Sequence, residues 1–180
     1  MRGRAGSWAL AAVLALGALW AVWSADPLPP PLEAGRPAPD FALPRVGGGQ
    51  PLELASLRGQ VVLLNFWATW CKPCEDEMPA MERLYQSLRG DGFELVAVSV
   101  DVGDEEVEAF RDRLGLSFPI LRDPDRAVAN LYQSPRFPES WLVGRDGVLV
   151  ARFIGPREWD APEYAGRIRE LLAADPGAAR

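Results

Sequence analysis

Apolar and polar residues alternate along this chain in blocks that predict strands and helices in turn. The run VVLLNFW, from Val61 to Trp67, is almost entirely apolar, which is typical of a strand buried on both faces of a sheet. A helix is predicted from about Lys72 to Leu88, because apolar residues recur there every three or four positions. The stretch FELVAVSV, from Phe93 to Val100, predicts a second buried strand.

The second half of the chain continues this alternation. GDEEVEAFRDRLGL predicts an amphipathic helix with acidic residues in its first turn and Gly115 near its end. FPILRD predicts a short strand and DRAVANLYQ a short helix. SWLVGRDGVLVARFIG predicts a hairpin about an Arg-Asp-Gly turn, and APEYAGRIRELLAA a closing helix. With a further hairpin around the glycines at 47–49, this order predicts an α/β domain with one mixed sheet.

Residues 1–25 differ from the rest of the chain. Arg2 and Arg4 precede an uncharged stretch that runs to Ala25, a length between that of a signal-peptide core and that of a full membrane span. An uncleaved signal anchor is favoured over a cleaved signal peptide, because the large residues Leu19 and Trp23 stand where a cleavage site needs small ones. In both cases the remainder is expected outside the cytoplasmic membrane, either tethered to it or released into the periplasm.

The rest of the chain divides into a linker, a domain and a tail. Residues 26–36 are rich in proline and are expected to form an extended linker. The globular domain is predicted over residues 37–174, and residues 175–180 are expected to be a tail.

Charge and composition exclude several classes of function. The net charge is −6, and no cluster of lysine and arginine provides the basic face that a nucleic-acid partner needs. The chain has no histidine, which excludes Ser-His-Asp and Cys-His hydrolases and imidazole metal sites. Its chemistry therefore has to use cysteine, carboxylates, lysine, tyrosine or backbone groups.

The only two cysteines, Cys71 and Cys74, lie in the motif WCKPC. A structural disulfide between them would close a very small loop and gain little stability, and a zinc site would lack ligands. Haem attachment needs histidine after Cys74, where Glu75 stands. A redox pair is favoured because Cys71 opens a helix whose N–H groups stabilise a thiolate, and Pro73 suits the first helical turn. Copper bound by the two thiolates remains an alternative.

The cysteine motif and its surroundings resemble a known family. FWATWCKPC after a hydrophobic strand resembles the thioredoxin superfamily, and NFWATWCKPCEDEMP is closer still to its exported, membrane-tethered TlpA/ResA/CcmG-type branch. The resemblance runs from GRPAPDFALP to the final helix. It implies a thioredoxin fold with an N-terminal β-hairpin and a central βα insertion, here preceded by one hydrophobic helix. It also implies thiol–disulfide exchange outside the cytoplasm, with no cofactor and no metal.

The same resemblance implies roles for residues near the cysteine pair. Glu77 matches a glutamate that shuttles the proton which Cys74 must lose. Asn65 stands where classical thioredoxins have a buried aspartate, and together with Lys72 and Pro73 it is expected to tune the thiol pKa.

Substrate contacts are implied further along the chain. Pro138 matches the cis-proline that lies opposite the cysteines, and the backbone of Phe137 is expected to pair with a substrate segment as an added strand. Trp70 is expected to shield the active-site sulfurs. Pro79 matches the proline that kinks the first helix after the motif.

The expected partners follow from the resemblance as well. They are protein disulfides, with apocytochrome c as a candidate, and a membrane electron donor of the thiol–disulfide relay type; the chain is expected to be a monomer. The direction of electron flow stays open, since reductases and oxidants share this motif. A peroxiredoxin-like peroxidase is the alternative enzyme, but Thr69 stands two residues before Cys71 where that family needs three, and the proline of its motif is missing.

Overall fold

The computed structural model describes residues 4–24 and 30–174, and the chain divides into two units between Pro31 and Leu32. In the first unit, α1 (Arg4–Ser24) confirms that the N-terminal hydrophobic stretch is helical. Trp20 and Trp23 are exposed on it. Among residues 4–24 and 30–174, no helix is long and apolar enough to cross a membrane.

The second unit contains seven strands among its described residues. They are β1 (Ala42–Leu43), β2 (Leu52–Glu53), β3 (Val61–Trp67), β4 (Phe93–Ser99), β5 (Ile120–Arg122), β6 (Glu139–Val143) and β7 (Leu149–Ile154). β1 and β2 form the predicted hairpin around the glycines. The other five form one sheet in the order β5-β4-β3-β6-β7. β3 pairs in parallel with β4 and antiparallel with β6, so the sheet is mixed, as predicted.

The central position of β3 in the sheet explains why its sequence is apolar. All seven residues from Val61 to Trp67 are buried, because β3 has a neighbouring strand on each side and packed layers on both faces. Asn65 is the one polar residue in the strand, and its side chain is fully buried. A buried amide needs hydrogen-bond partners, so Asn65 marks a polar site inside the core.

Four α-helices complete the second unit in the described range: α2 (Lys72–Leu88), α3 (Asp104–Leu114), α4 (Ala127–Leu131) and α5 (Pro162–Ala173). Two short 3-10 helices lie at Leu54–Leu57 and Arg89–Asp91. α2 has the predicted bounds and contains Pro79 in its interior. α3 ends at Leu114 and is capped by Gly115, whose φ of 62° lies in the left-handed region that glycine adopts readily. β5 and α4 lie between β4 and β6 and form a βα unit in the middle of the domain, in agreement with the predicted central βα insertion.

Small differences from the predicted bounds have simple causes. β4 ends at Ser99 rather than Val100, because the chain turns there into the loop that contains Asp101. The short helix predicted over 125–133 occupies only 127–131, since Arg126 takes a left-handed conformation before it, with φ 55°. Residues 26–29 of the linker and the predicted tail at 175–180 lie outside the described residues.

Candidate active site

The two cysteines lie where β3 passes into α2. Cys71 is the N-cap residue of α2, with extended backbone angles, and it forms a disulfide with Cys74 at a Cα separation of 5.3 Å. The backbone N–H of Cys74 points at the Sγ of Cys71, at a distance of 3.3 Å. A donor at a helix N-terminus stabilises a thiolate in the reduced form.

The two sulfurs differ in access. Cys71 is 6% exposed whereas Cys74 is completely buried, so the Cys74 sulfur is closed to a partner in solution while part of Cys71 can be reached. This difference favours Cys71 as the candidate nucleophile and Cys74 as the candidate resolving thiol, and both roles stay predictions.

The loop in front of Cys71 is fixed by a buried carboxylate that the sequence did not reveal. Asp101 Oδ2 accepts hydrogen bonds from the backbone N–H of Thr69 at 2.9 Å and from Ser99 Oγ at 2.7 Å, and Oδ1 accepts one from Thr69 Oγ1 at 2.7 Å. Asp101 follows β4, which runs parallel to β3, and the carboxyl ends of such neighbours meet at one edge of the sheet. The position of Asp101 directly after a predicted buried strand was the one feature of the sequence that could have identified it as a site residue.

Glu77 lies inside the core, on the cysteine-bearing side of α2. Its side chain is only 3% exposed. Oε1 accepts a hydrogen bond from Asn65 Nδ2 at 3.0 Å. Oε2 accepts two, from the backbone N–H of Arg157 and from Trp159 Nε1, both at 3.0 Å. The structure brings Asn65 and Glu77, two predicted site residues, into direct contact. Arg157 and Trp159 were missed because they lie 80 and 82 residues away in sequence.

Burial is the main influence on the acidity of Glu77. Loss of water disfavours the carboxylate and raises its pKa to about 7, although the hydrogen bonds from Trp159, Arg157 and Asn65 act in the opposite direction. A group with this pKa exchanges protons readily near neutral pH, which is what a proton carrier beside a thiol pair requires.

Asn65 links Glu77 to a second strand. Its Nδ2 also donates to Ser140 Oγ on β6, at 2.9 Å. Its Oδ1 has no hydrogen-bond partner among the residues that the structure describes, although it is buried. The amide thus connects the helix that carries the cysteines to the strand that follows Pro138.

The peptide bond between Phe137 and Pro138 is cis, as the resemblance implied. The Phe137 ring lies edge-on to Trp70, with ring centroids 6.2 Å apart, and the guanidinium of Arg126 lies 5.7 Å from the centre of the Phe137 ring. Trp70 is 64% exposed, so it offers its indole to solvent beside Cys71. A cleft of about 340 Å³, lined in part by Thr69, Trp70, Val102 and Arg126, opens at this position.

The segment that carries the cis bond is held by a buried ion pair. Glu139 Oε1, in a residue that is 1% exposed, accepts from Arg152 Nε at 2.7 Å and from Ser134 Oγ at 2.7 Å. Arg152 also donates through Nη2 to the backbone carbonyl of Gln133. Both ends of the segment 133–139 are therefore tied to β7. Glu139 and Arg152 were not singled out from the sequence, where each looks like an ordinary charged residue of a strand.

Lys72 and Pro73 occupy the first turn of α2. Pro73 lies where a backbone N–H has no helical partner, as expected. The ammonium of Lys72 pairs with Asp76 at 2.8 Å and with Glu75 at 3.4 Å, and Asp76 holds the lysine pKa above its ordinary value. The positive charge is thus directed at carboxylates on the exposed side of the helix. The tuning role predicted for Lys72 and Pro73 stays a prediction.

Comparison with known proteins identifies the relatives of this chain. The sequence model of the AhpC/TSA family matches residues 34–152. The thiol-disulfide oxidoreductase ResA of Bacillus anthracis is 39% identical over 124 residues, which cover 69% of this chain and 71% of that protein. ResA of Geobacillus kaustophilus is 43% identical over 113 residues, which cover 63% of this chain and 64% of that protein.

Solved structures agree with the sequence relatives. A Chlorobium tepidum protein assigned as the thiol:disulfide interchange protein DsbE superposes with a TM-score of 0.73 at 33% identity, covering 78% of this chain and 99% of that one. StoA of Bacillus subtilis superposes with a TM-score of 0.60 at 28% identity, covering 75% of this chain and 96% of that one. The fold of residues 32–174 is therefore the thioredoxin-like α/β fold that the sequence predicted.

Proposed function

Since this chain belongs to the AhpC/TSA family and is a thiol–disulfide oxidoreductase related to ResA, we propose that it reduces disulfides of proteins outside the cytoplasm, with apocytochrome c as its substrate. The observation that carries this proposal is the Cys71–Cys74 pair at the start of α2, with Glu77 buried on the same side of the helix. Cys71, Cys74 and Glu77 are the catalytic residues of the proposed reaction.

The reaction begins with the reduced enzyme. The Cys71 thiolate attacks one sulfur of the substrate disulfide, that S–S bond breaks, and the other substrate sulfur leaves as a thiolate that takes up a proton. A mixed disulfide now joins Cys71 to the substrate. Only Cys71 can take this role, because the Cys74 sulfur is buried.

The second step releases the product and needs a base. The Cys74 thiol gives its proton to Glu77, which lies one helical turn further along the same face, and the resulting thiolate attacks Cys71 Sγ. The mixed disulfide breaks, and the second substrate sulfur leaves as a thiolate that takes up the proton held by Glu77 or one from solvent. The substrate has gained two electrons and two protons, and the enzyme holds the Cys71–Cys74 disulfide. A membrane dithiol donor then returns the enzyme to its reduced form.

Substrate binding is proposed at the cis-proline. The backbone of Phe137, next to Pro138, pairs with an extended substrate segment, and the exposed indole of Trp70 covers the residue beside the substrate cysteine. The neighbouring cleft offers room for one side chain of that segment.

The proposed location follows from the chemistry and the N-terminal sequence. Disulfides persist in oxidising compartments outside the cytoplasm, where a dedicated reductant has substrates to act on. The apolar helix α1, whether kept as an anchor or removed as a signal peptide, directs export in this proposal. Fractionation of cells that express the full chain, compared with cells that express a chain lacking residues 1–25, tests this point: export of the shortened chain would contradict it.

The substrate is tested by trapping in the native host. In a Cys74→Ser variant the mixed disulfide at Cys71 cannot be resolved, so the partner stays attached and mass spectrometry identifies it. Capture of apocytochrome c supports the proposed substrate, whereas capture of many unrelated exported proteins contradicts it in favour of a general reductase. A Cys71→Ser, Cys74→Ser double variant is the matched control and should capture nothing.

A peroxidase is the second candidate, because the AhpC/TSA sequence model covers most of the domain. The Thr69 hydroxyl, however, donates its hydrogen bond to Asp101, and Cys71 already has a resolving cysteine one turn away. Reduction of hydrogen peroxide by the dithiol enzyme, at a rate that matches reduction of protein disulfides, would favour the peroxidase.

A further inference from the structure

The segment between β7 and α5 contacts the buried carboxylate of Glu77, although it lies far from the cysteine motif in sequence. It supplies both donors to Glu77 Oε2, the backbone N–H of Arg157 and the indole N–H of Trp159. Oε1 instead faces Asn65 of β3. The two oxygens of one carboxylate are therefore contacted by different parts of the fold.

Three sets of contacts make this segment rigid. The guanidinium of Arg157 donates to the backbone carbonyls of Ile154, Gly155 and Pro156 at 3.1, 3.3 and 2.8 Å. Asp160 Oδ2 pairs with Arg83 Nε of α2 at 2.6 Å. Trp159, which is 1% exposed, packs against the rings of Phe153 and Tyr164 with centroids 5.1 and 5.3 Å away. The indole N–H is thus held in place before any substrate arrives.

The chemistry of the donors decides which oxygen can change protonation. An indole N–H and a backbone N–H only donate, so a proton on Oε2 would find no acceptor there and would displace at least one of the two hydrogen bonds that this oxygen accepts. The amide of Asn65 has a donor and an acceptor end, and its Oδ1 has no partner in the described part of the chain. A proton on Oε1 can be accepted by that oxygen after the amide turns. Arg157 is the charged residue that reaches Glu77, and its guanidinium is turned onto the carbonyls of its own loop.

We propose that Trp159 is a positioning residue that clamps Glu77 through Oε2, so that the carboxylate exchanges its proton with the thiol pair through Oε1. The inference rests on the proposed function in that it assigns Glu77 the proton of Cys74. Trp159 takes no proton itself and acts only through Glu77.

The test is a Trp159→Phe variant of the full chain. Phenylalanine keeps the aromatic packing against Phe153 and Tyr164 but removes one hydrogen bond to the carboxylate. The Glu77 pKa should therefore rise by about one unit, measured from its side-chain ¹³C resonance. The rate of the resolving step should fall about tenfold below pH 6.5 and return to the wild-type value by about pH 9, where the carboxylate is ionised in both proteins. A loss of rate that is equal at every pH would overturn the proposal.

A matched variant controls for loss of an indole. Trp141 is also almost fully buried, and its Nε1 has no hydrogen-bond partner among the described residues. Trp141→Phe should leave the Glu77 pKa unchanged. A rise equal to that in Trp159→Phe would overturn the proposal, because it would show that any loss of a buried indole has the same effect.

The contact between Trp159 and Glu77 can also be tested in the wild-type chain, without a substitution at Trp159. The ¹H–¹⁵N resonance of the Trp159 indole should shift with pH at the same midpoint as the Glu77 carboxyl, and this shift should vanish in Glu77→Gln. A resonance that does not respond to pH overturns the clamp. Should the clamp be present while Glu77→Gln leaves the pH profile of the rate unchanged, the proton role in the proposed function fails and the assignment of Trp159 as the partner of Oε2 stands.

Discussion

Asn65 and Glu77 lie 3.0 Å apart, amide Nδ2 to carboxylate Oε1, and both side chains are almost fully buried. One comes from the central strand and the other from the helix that carries the cysteines. A carboxylate removed from water in this way binds a proton more tightly than an exposed one. In the proposed mechanism, this contact couples the stability of the fold to the chemistry of the cysteine pair.

The stability of the protein should fall as the pH rises through the range of Glu77. Its pKa is about 7 in the folded protein against an ordinary value of 4.5, so the folded state holds the proton more tightly than the unfolded state. The proton on Glu77 stabilises the folded state, and this contribution is fully present below pH 4.5. It amounts to about 3 kcal/mol of the free energy of unfolding and is lost between pH 4.5 and 7.

Urea unfolding of the oxidised protein across this range measures the effect. Glu77→Gln serves as the reference, because every other titrating group is common to both proteins and cancels in the difference. A difference between wild type and variant that does not change between pH 4.5 and 7 would contradict the raised pKa.

Replacing Asn65 by aspartate should make the core sensitive to pH. Asn65→Asp places a second carboxyl about 3 Å from Glu77, where two negative charges cannot coexist and one proton is shared. Thermal unfolding should show a small loss of stability at pH 5 and a larger loss, about 2 kcal/mol or more, at pH 8. Asn130→Asp, at an exposed position of α4, is the control and should show no such dependence.

The ion pair that holds the cis-proline segment should matter for stability. Arg152→Met leaves the buried Glu139 carboxylate with Ser134 as its remaining side-chain partner. The free energy of unfolding should fall by about 2–4 kcal/mol. This is at the lower side of the range for a broken buried ion pair, because the Arg152 side chain is 29% exposed.

Arg58→Met is the control for Arg152. It breaks a pair with Asp40 in which the two side chains are 39% and 58% exposed, and should cost at most about 1 kcal/mol. Equal losses in the two variants, measured by urea unfolding at pH 7, would show that the Glu139 pair behaves as a surface ion pair.

Alkylation should distinguish the two thiols of the reduced protein. The helix N-terminus and the N–H of Cys74 favour the Cys71 thiolate, so iodoacetamide should modify Cys71 with a midpoint below the ordinary thiol pKa of about 8.5. Cys74, which is fully buried, should stay unmodified while the protein is folded. Peptide mass spectrometry after a short pulse measures both rates, and faster labelling of Cys74 would reverse the assigned roles.

The sequence predicted those parts of the site whose residues lie close together in the chain or in a motif of fixed spacing. The apolar run before Cys71 and the three- and four-residue spacing after it predicted β3 and α2. The resemblance then implied the cis bond before Pro138 and the place of Glu77, and the structure has both. Each of these depends on residues close together in the chain or on a motif of fixed spacing.

Contacts between residues that lie far apart in the chain could not be predicted from local sequence patterns. Trp159 meets Glu77 only because β7 lies at the edge of the sheet and its following loop turns back over α2, a consequence of the complete topology. Asp101 reaches Thr69 because two parallel strands end side by side, and Glu139 meets Arg152 through the pairing of β6 with β7. Asp101 was marked only by its position after a buried strand, and nothing in the local pattern distinguishes Glu139 and Arg152 from ordinary charged residues of a strand.

The central claim is that Cys71 is the nucleophile and Cys74 the resolving thiol of a disulfide reductase. The most direct measurement mixes reduced protein with a disulfide-containing protein such as insulin and follows acid-quenched species by mass spectrometry. Wild type should yield reduced substrate and the Cys71–Cys74 disulfide, Cys74→Ser should accumulate a mixed disulfide at Cys71, and Cys71→Ala should do neither. Full reductase activity in Cys71→Ala would contradict the account.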